Sequence, residues 1–545
     1  MQAGCHTIRH RLSTRGSFKL FCRWVMLVAL VTLAGCAGLP KDYSRTTSYA
    51  LTPDNNGRIA HVFSKEVEAH PGLSGLYPLE DGQDALAARR ALIDTAEHSL
   101  DIQYYIWHQD ATGMLLLDHI LQAADRGVRV RLLLDDIGNI PKDETLLSIA
   151  THPNISIRIF NPTSTRAFYQ LSLVLEFERI NGRMHNKSMS ADSQVTIIGG
   201  RNIGDEYFGN HEQLNFGDLD VLAVGAVVEQ VEDSFDIFWN SKYSIPINVT
   251  AHREAKPNAL KTIRPQLAMG VSKLEPEYRR RLDRSALNRI FKTGGWLPLD
   301  WGKAHVLYDE PNKVENGNHT ARKLMPLLQP AIDSTKQELV IISSYFIPGK
   351  EGLAFIRKLR QKGVNVRVVT NSITSTDVFP AHANYVKYRV PLLREGVELY
   401  EIKSDGAVWS DRKMRKQRKK ESGIGGSSRS SLHTKAFVFD RKRIFIGSLN
   451  LDPRSININT EIGLLIDNAT LARNTVRQLD SKLMDNAYRL ELKKIDGSDP
   501  NSDVRIEWVS RENGRTVRYR SEPNTNIFHR IAMWFVSLPA FESQF

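Results

Sequence analysis

The chain has 545 residues, 41% of them apolar and 25% charged, with a formal net charge of +12. That length exceeds one small module, and that balance excludes a disordered, collagenous or coiled-coil bulk. All three cysteines, Cys5, Cys22 and Cys36, precede the body, so it has no disulfide framework and no cysteine zinc site, and the single apolar run excludes a multi-span transporter.

In chain order, residues 1–35 carry Arg9, Arg11, Arg15, Lys19 and Arg23 and no acid. The apolar stretch Trp24–Leu33 and then Leu33-Ala34-Gly35-Cys36 follow. A basic start, a short apolar core and small residues at the cut predict a signal peptide over 1–35. Leu-Ala-Gly-Cys resembles the lipobox of bacterial lipoproteins. That resemblance implies cleavage before Cys36 and lipidation of its thiol, and several acyl chains anchor a protein stably. Ala37 after the cysteine implies, by the same resemblance, no retention at the inner membrane. The expected location is therefore the cell envelope: a membrane-anchored lipoprotein facing the periplasm, with the outer membrane favoured. Residues 36–78 are polar and punctuated by Pro and Gly, and read as a lipidated tether.

The body is a duplication. Residues 84–137 and 319–373 each run helix, apolar strand, helix ending in Gly, apolar strand. The first strands are Leu100-Asp101-Ile102-Gln103-Tyr104 and Leu339-Val340-Ile341-Ile342-Ser343, and Gly127 and Gly363 suit a left-handed helix stop. Strands alternating with helices argue an α/β fold with sheets flanked by helices. The expected organisation is domain 1 over 79–250, a linker over 251–305, domain 2 over 306–495 and a C-terminal extension over 496–545. Within these, a basic helix is expected around Glu277–Arg289, an amphipathic helix over Thr470–Leu492 and a short strand in Ser498–Arg511. Seven Lys or Arg against two acids lie between Asp411 and Glu421. Most of the basic surplus of the mature chain sits in that loop, which argues against a broad nucleic-acid binder.

Residues suited to phosphate chemistry come in two copies. The first is Met184-His185-Asn186-Lys187 with Asp192 and Asn202, and the second is Leu432-His433-Thr434-Lys435 with Asp440 and Asn450. In both, Lys follows His by two, Asp by seven and Asn by seventeen. On a strand, His and Lys two apart share a face. An imidazole beside an ammonium can attack a phosphorus or carry protons while oxygen charge is held. Asp192 and Asp440 each precede a polar pair and are expected to shape a turn, supporting the motif rather than reacting. Asn202 and Asn450 could donate amide hydrogen bonds to the same phosphate.

Twofold His-x-Lys-x(4)-Asp resembles the signature of the phospholipase D superfamily. Arg183 to Lys187, Gly199-Gly200-Arg201-Asn202-Ile203-Gly204-Asp205-Glu206-Tyr207-Phe208 and Thr374-Ser375-Thr376-Asp377 resemble its cardiolipin synthase (C-type) family over roughly residues 75–540. The resemblance implies two similar phospholipase D-like domains, each a mixed β-sheet flanked by helices, packed as a pseudo-dimer with the active site at their interface. It implies a phosphatidyltransferase working through a phosphohistidine, with no metal and no cofactor, since the cations are side chains. His185 and His433 would flank one phosphorus, with His185 the nucleophile by family analogy. Lys187, Lys435, Asn202 and Asn450 would hold the equatorial oxygens. A carboxylate downstream of each motif would orient its histidine, and Asp218 and Glu461, each opening an apolar strand, fit that place. Asp220 is a rival to Asp218. Implied partners are an anionic phospholipid membrane, with phosphatidylglycerol or phosphatidylethanolamine as donor and phosphatidylglycerol as acceptor. The alternatives are a secreted phospholipase D or nuclease using water, and a non-catalytic lipoprotein scaffold. The basic loop is expected to favour anionic lipid. The segment Phe528–Pro539 is either a membrane-contacting wedge or a final core helix.

Overall fold

In both repeats the apolar strands are so continuously buried that they can only lie between helix layers. The computed structural model describes residues 43–137, 143–164, 175–211, 213–284, 297–315, 320–406, 429–494 and 504–525. The first half supplies β1 (Ser74–Leu79), β2 (Ser99–Tyr104), β3 (Arg129–Asp135), β4 (Ile155–Phe160), β5 (Ser188–Ala191), β6 (Val195–Gly199), β7 (Leu214–Gly217), β8 (Asp220–Gly225) and β9 (Ser244–Pro246). The second supplies β10 (Asp300–Tyr308), β11 (Glu338–Ser343), β12 (Asn365–Asn371), β13 (Glu398–Ile402), β14 (Arg429–Leu432), β15 (Lys435–Phe439), β16 (Arg443–Gly447), β17 (Ile462–Asp467), β18 (Ala487–Lys494), β19 (Val504–Glu512) and β20 (Arg515–Tyr519).

Eighteen of the described strands form one continuous sheet. Its spatial order is β9-β4-β3-β2-β5-β6-β8-β1-β10-β17-β16-β15-β11-β12-β13-β18-β19-β20. The run from β4 to β1 is repeated, reversed, from β10 to β13, with the parallel trios β2-β3-β4 and β11-β12-β13 in matching places. The halves join where β1 meets β10 antiparallel, Gly75 opposite Trp301. The expected α/β pseudo-dimer of mixed sheets is therefore present. Gly127 and Gly363, at φ 98° and 81°, end the equivalent helices Ala111–Asp125 and Gly349–Gln361 as expected.

Three segments expected to lie outside the domains are built into them. The span expected as tether contributes the helix Arg58–Ala69 and the joining strand β1. Ahead of these, residues 45–54 form a strap over the first half. Arg131 and Arg129 donate to Ser48 O and Tyr49 O at 2.8 Å, and Ala50 N donates to Asp236 Oδ2 at 2.8 Å. The expected linker holds the helix Ala259–Arg284, whose Ile263 and Leu267 are buried against the first half, and it overlaps the start of β10. The C-terminal extension adds β19 and β20 to the sheet, and Glu522 is clamped by Arg389 at 2.7 and 3.0 Å. The helix expected over 470–492 is Ala469–Asn486. It stops early because Ala487 enters β18, which pairs with β13 and β19. Cys36 and the signal segment, the basic loop and Phe528–Pro539 lie outside the described residues. No helix among the described residues is long and apolar enough to cross a membrane.

Candidate active site

Both His-x-Lys motifs stand at the entry to a strand rather than within it. His185 and Lys187 precede β5, and His433 precedes β15, whose first residue is Lys435. The backbone ahead of each motif pairs with the opposite half. β7 and β14 lie parallel, Gly217 opposite Leu432, and His433 N donates to Gly217 O at 2.8 Å. In the same way Thr460 N donates to Arg183 O and His185 N to Thr460 O, each at 2.9 Å.

The residue after each of these partners is a carboxylate, and this decides which histidine it meets. Asp218 Oδ2 lies 2.6 Å from Nδ1 of His433, and Glu461 Oε2 lies 2.8 Å from Nδ1 of His185. The carboxylates therefore cross between repeats, where the sequence reading gave each to its own motif. The cause is the parallel pairing just described, which carries each carboxylate over the boundary. Asp220, the rival, is taken up by Arg89 at 2.8 Å and Arg201 at 3.2 Å. A carboxylate on Nδ1 fixes the tautomer and leaves Nε2 free for chemistry.

The site is buried and its two halves are electrostatically unlike. Burial, then Lys187, Lys435 and His433, hold His185 well below the ordinary imidazole range. Burial and Lys435 lower His433 too, but there Asp218 opposes them. Burial works to raise Asp218, yet the His433 charge and hydrogen bond keep it down at about 2. Burial pushes Glu461 up to about 7 against Lys187 and the Ser448 hydroxyl. Ser448 Oγ donates to the same Glu461 oxygen that faces His185, and Glu461 Oε1 has no hydrogen-bond partner among the described residues. Burial also lowers both lysines, Lys187 the further. Lys187 Nζ donates to His185 O at 2.6 Å, and Lys435 Nζ donates to His433 O and, at 3.1 Å, to Ser344 Oγ. An ammonium has three donors, so each keeps at least one for a phosphate oxygen.

The remaining candidates divide. Asn450 is buried and its Oδ1 has no partner among the described residues. Asn202 is largely spent: Oδ1 accepts from Ile106 N at 3.3 Å, and Nδ2 donates to the Tyr207 hydroxyl at 2.8 Å. Asp192 and Asp440 shape turns, as expected, both at φ 52°. Each carboxylate accepts three successive backbone N–H groups, from Glu97, His98 and Ser99 or from Lys336, Gln337 and Glu338. They pin the starts of β2 and β11, so grouping them with the reacting residues does not hold.

Sequence reasoning missed the walls. Tyr105 packs edge-on to His185 at 5.0 Å, and Tyr207 and Phe216 pack on His433 at 5.2 and 5.1 Å. It also missed Asp135 and Asn371, which end β3 and β12 and accept from Met184 N at 2.9 Å and Leu432 N at 2.8 Å. Asp135 and Asn371 were accessible from the repeat, since they occupy equivalent places, whereas Ser344 stands in the place of Tyr105 in the second half. Elsewhere His108, Asp110 and Glu206 have ligand atoms close enough to share a cation, but His108 Nδ1 is already 3.1 Å from Glu206 Oε1.

Residues 90–239 and 328–483 match the family described as cardiolipin synthase, PLD-like domain. Cardiolipin synthase C of Escherichia coli (strain K12) is 40% identical over 88% of this chain and 98% of its own length. The major cardiolipin synthase of Bacillus subtilis (strain 168) is 23% identical over 74% of this chain and 68% of its own. The crystal structure of phosphatidylserine synthase from Haemophilus influenzae Rd KW20 shares the fold, with a TM-score of 0.50 and 16% identity, over 80% of this chain and 92% of that one.

Proposed function

Since the chain belongs to the cardiolipin synthase family of the phospholipase D superfamily, and so is a phospholipase D-type phosphatidyltransferase, we propose that it makes cardiolipin through a phosphohistidine at His185. Nε2 of His185 attacks the donor phosphorus in line, forming N–P as P–O to the leaving alcohol breaks. His433 gives that oxygen its Nε2 proton. The hydroxyl of phosphatidylglycerol then takes the place of the departed alcohol. It gives its proton to His433 as its oxygen attacks, and N–P breaks. Protons balance over the cycle, and no water is consumed. Lys187, Lys435 and Asn450 hold the equatorial oxygens.

The crossed carboxylates carry this reading. They support two buried imidazoles on opposite sides of one interface, each with Nδ1 engaged by a carboxylate so that Nε2 is the nitrogen left for a two-step displacement. The unlike halves support the roles. His185, held low, is the neutral imidazole that a nucleophile must be, while ionised Asp218 favours the imidazolium that an acid must be. The lipobox and Ala37 support a lipid anchor at Cys36 that holds the enzyme at an envelope membrane facing the periplasm. The donor is phosphatidylglycerol or phosphatidylethanolamine, and the acceptor is phosphatidylglycerol. Purified protein with labelled phosphatidylglycerol, with and without phosphatidylethanolamine, tests this by its product lipids. Labelled cardiolipin is expected, and phosphatidic acid alone would mean that water is the acceptor.

A further inference from the structure

The two crossed carboxylates differ in what stands behind them. Asp218 has the buried guanidinium of Arg201, which donates to Asp218 O at 2.6 Å and helps to hold its carboxyl down. In the second half Leu449 takes the place of Arg201, within Gly447-Ser448-Leu449-Asn450 against Gly199-Gly200-Arg201-Asn202. A cation reaches Glu461 by another route. Leu79 and Leu307 hold equivalent places, opposite Asp220 and Gly463, which themselves face Gly199 and Gly447, so Asp81 and Asp309 correspond. Asp81 directly caps the helix Gly82–Thr95, accepting from Gln83 N at 2.8 Å. After Asp309, residues 310–323 intervene before the helix Leu324–Asp333. They bring in the turn Pro311–Val314, and with it Lys313. Lys313 Nζ donates to Asp309 Oδ2 at 2.8 Å and to Ser455 O at 2.9 Å, and the same Asp309 oxygen accepts from Glu461 N at 2.8 Å. Lys313 and Asp309 are both buried. Next to Lys313, Val314 shares a core cluster with Met184 and stands so close to Gly182 that a Cβ there would lie 2.7 Å from its own. The insert thus touches the chain leading to His185 on one side and the residue that carries its carboxylate on the other.

We infer that Lys313 and Asp309 are positioning residues for the reaction, holding Glu461 against His185 and setting the charge that Glu461 carries there. The inference rests on the proposed role of His185. A protonated Glu461 would donate to Nδ1 and drive the imidazole proton to Nε2, leaving no lone pair for attack. An ionised Glu461 accepts from Nδ1–H and leaves Nε2 nucleophilic. Burial pushes Glu461 up to about 7, so a neighbouring charge decides which form is present at neutral pH. His185, Lys187 and Tyr105 face it from the first half, and Lys435 and Asp452 face it from the second, besides the pair. Lys187 and Lys435 hold the phosphate, whose charge offsets theirs once substrate is bound. Lys313 favours the ionised form with or without substrate, because it is bound to Asp309 and Ser455 rather than to the reacting phosphate. Asp309 fixes the backbone of Glu461 and, as a second carboxylate, opposes its ionisation.

Opposite shifts of one pH limb test this. In a phosphodiester of phosphatidic acid with p-nitrophenol, the leaving group needs no proton, so the burst of p-nitrophenolate reads attack by His185 alone. Its rate should fall in acid as Glu461 takes a proton. Lys313→Met is expected to move that limb up by about one pH unit and Asp309→Asn to move it down by about as much, with KM little changed. Asp309→Asn, nearly isosteric, keeps the test open where Lys313→Met folds poorly. A burst slowed by the same factor at every pH in both variants, with the limb unmoved, would show that the pair only holds the fold together and would overturn the proposal. Were the phosphoenzyme found on His433, the proposed roles would fail. The limb would then lie in turnover of a natural donor, and the same opposite shifts there would still assign the pair to Glu461.

Discussion

Replacing Asp218 by Asn keeps the shape of the side chain and removes the charge facing His433. The two groups are buried and 2.6 Å apart. With charge centres about 4 Å apart and an effective dielectric of about 20, the lost attraction for an imidazolium is about 4 kcal/mol, or about 10³-fold in rate. The hydrogen bond that Asn retains returns part of this, so kcat should fall by about 10²- to 10³-fold. A pair of phosphodiester substrates separates this loss from one at His185. One carries a natural alcohol, and the other p-nitrophenol, which leaves without needing a proton. Asp218→Asn should release p-nitrophenolate in a burst near wild-type rate and then stall as a phosphoenzyme on His185, because the base for the second step is weakened. Glu461→Gln should be slow on both substrates, since it weakens the nucleophile itself. The reverse pattern, with Glu461→Gln rescued by the better leaving group and Asp218→Asn not, would refute the reasoning, for His433 would then be the nucleophile and His185 the acid.

Asp192→Ala removes the acceptor of three backbone N–H groups, so chemical denaturation should show a loss of about 2 to 3 kcal/mol, while turnover per folded molecule stays unchanged. Glu461 gives a pH signature. Because its pKa rises from 4.5 to about 7 on folding, the folded state keeps a proton that the unfolded state has lost, and stability contributed there falls as pH rises through that window. The thermal stability of Glu461→Gln relative to wild type should therefore increase from the low to the high end of it, and a constant difference would refute the shift. In Gly200→Ala the new Cβ would stand 2.3 Å from Asp218 Oδ1, the movable end of a side chain. The carboxylate should yield and kcat should fall about as far as in Asp218→Asn with the charge still present, whereas full activity would mean that the dyad has room to spare.

Periodicity and the repeat made the paired βα units readable, because buried strands such as β2 and β11 demand apolar runs of fixed length. The His and Lys spacing likewise found the chemistry, although it set both pairs within strands and they stand at the strand entries. What could not be read was everything set by pairing between distant segments. β7 carries Leu214-Asn215-Phe216-Gly217, an alternation too short to announce a strand, and its partner is β14 of the other half. The crossing of Asp218 and Glu461 follows from that register and from nothing local. β1 hid in a polar stretch because its main task is to bridge β8 and β10, and its Gly75 packs under Trp301 and Leu299. Asp192 and Asp440 share the spacing of the motif but serve the backbone, and spacing cannot separate those roles.

The repeat also shows how one duplicated frame comes to hold two different acid–base groups. Gly199-Gly200 and Gly447-Ser448 occupy the same place in the two halves. Beside Gly200 lies the shorter carboxylate, Asp218, pressed so close that no Cβ fits. Beside Ser448 lies the longer one, Glu461, sharing its histidine-facing oxygen with the serine hydroxyl. Asp218 stays ionised and supports a cationic partner, and Glu461, buried with one oxygen unpartnered, sits near its own neutralisation point. Fold symmetry brings two imidazoles to one interface, and crossing makes each depend on the other half being docked. A symmetric pair would be two equal bases competing for one proton. One methylene and one hydroxyl break that equality, and in the direction a double displacement requires: a neutral nucleophile facing the imidazole whose carboxylate stays ionised.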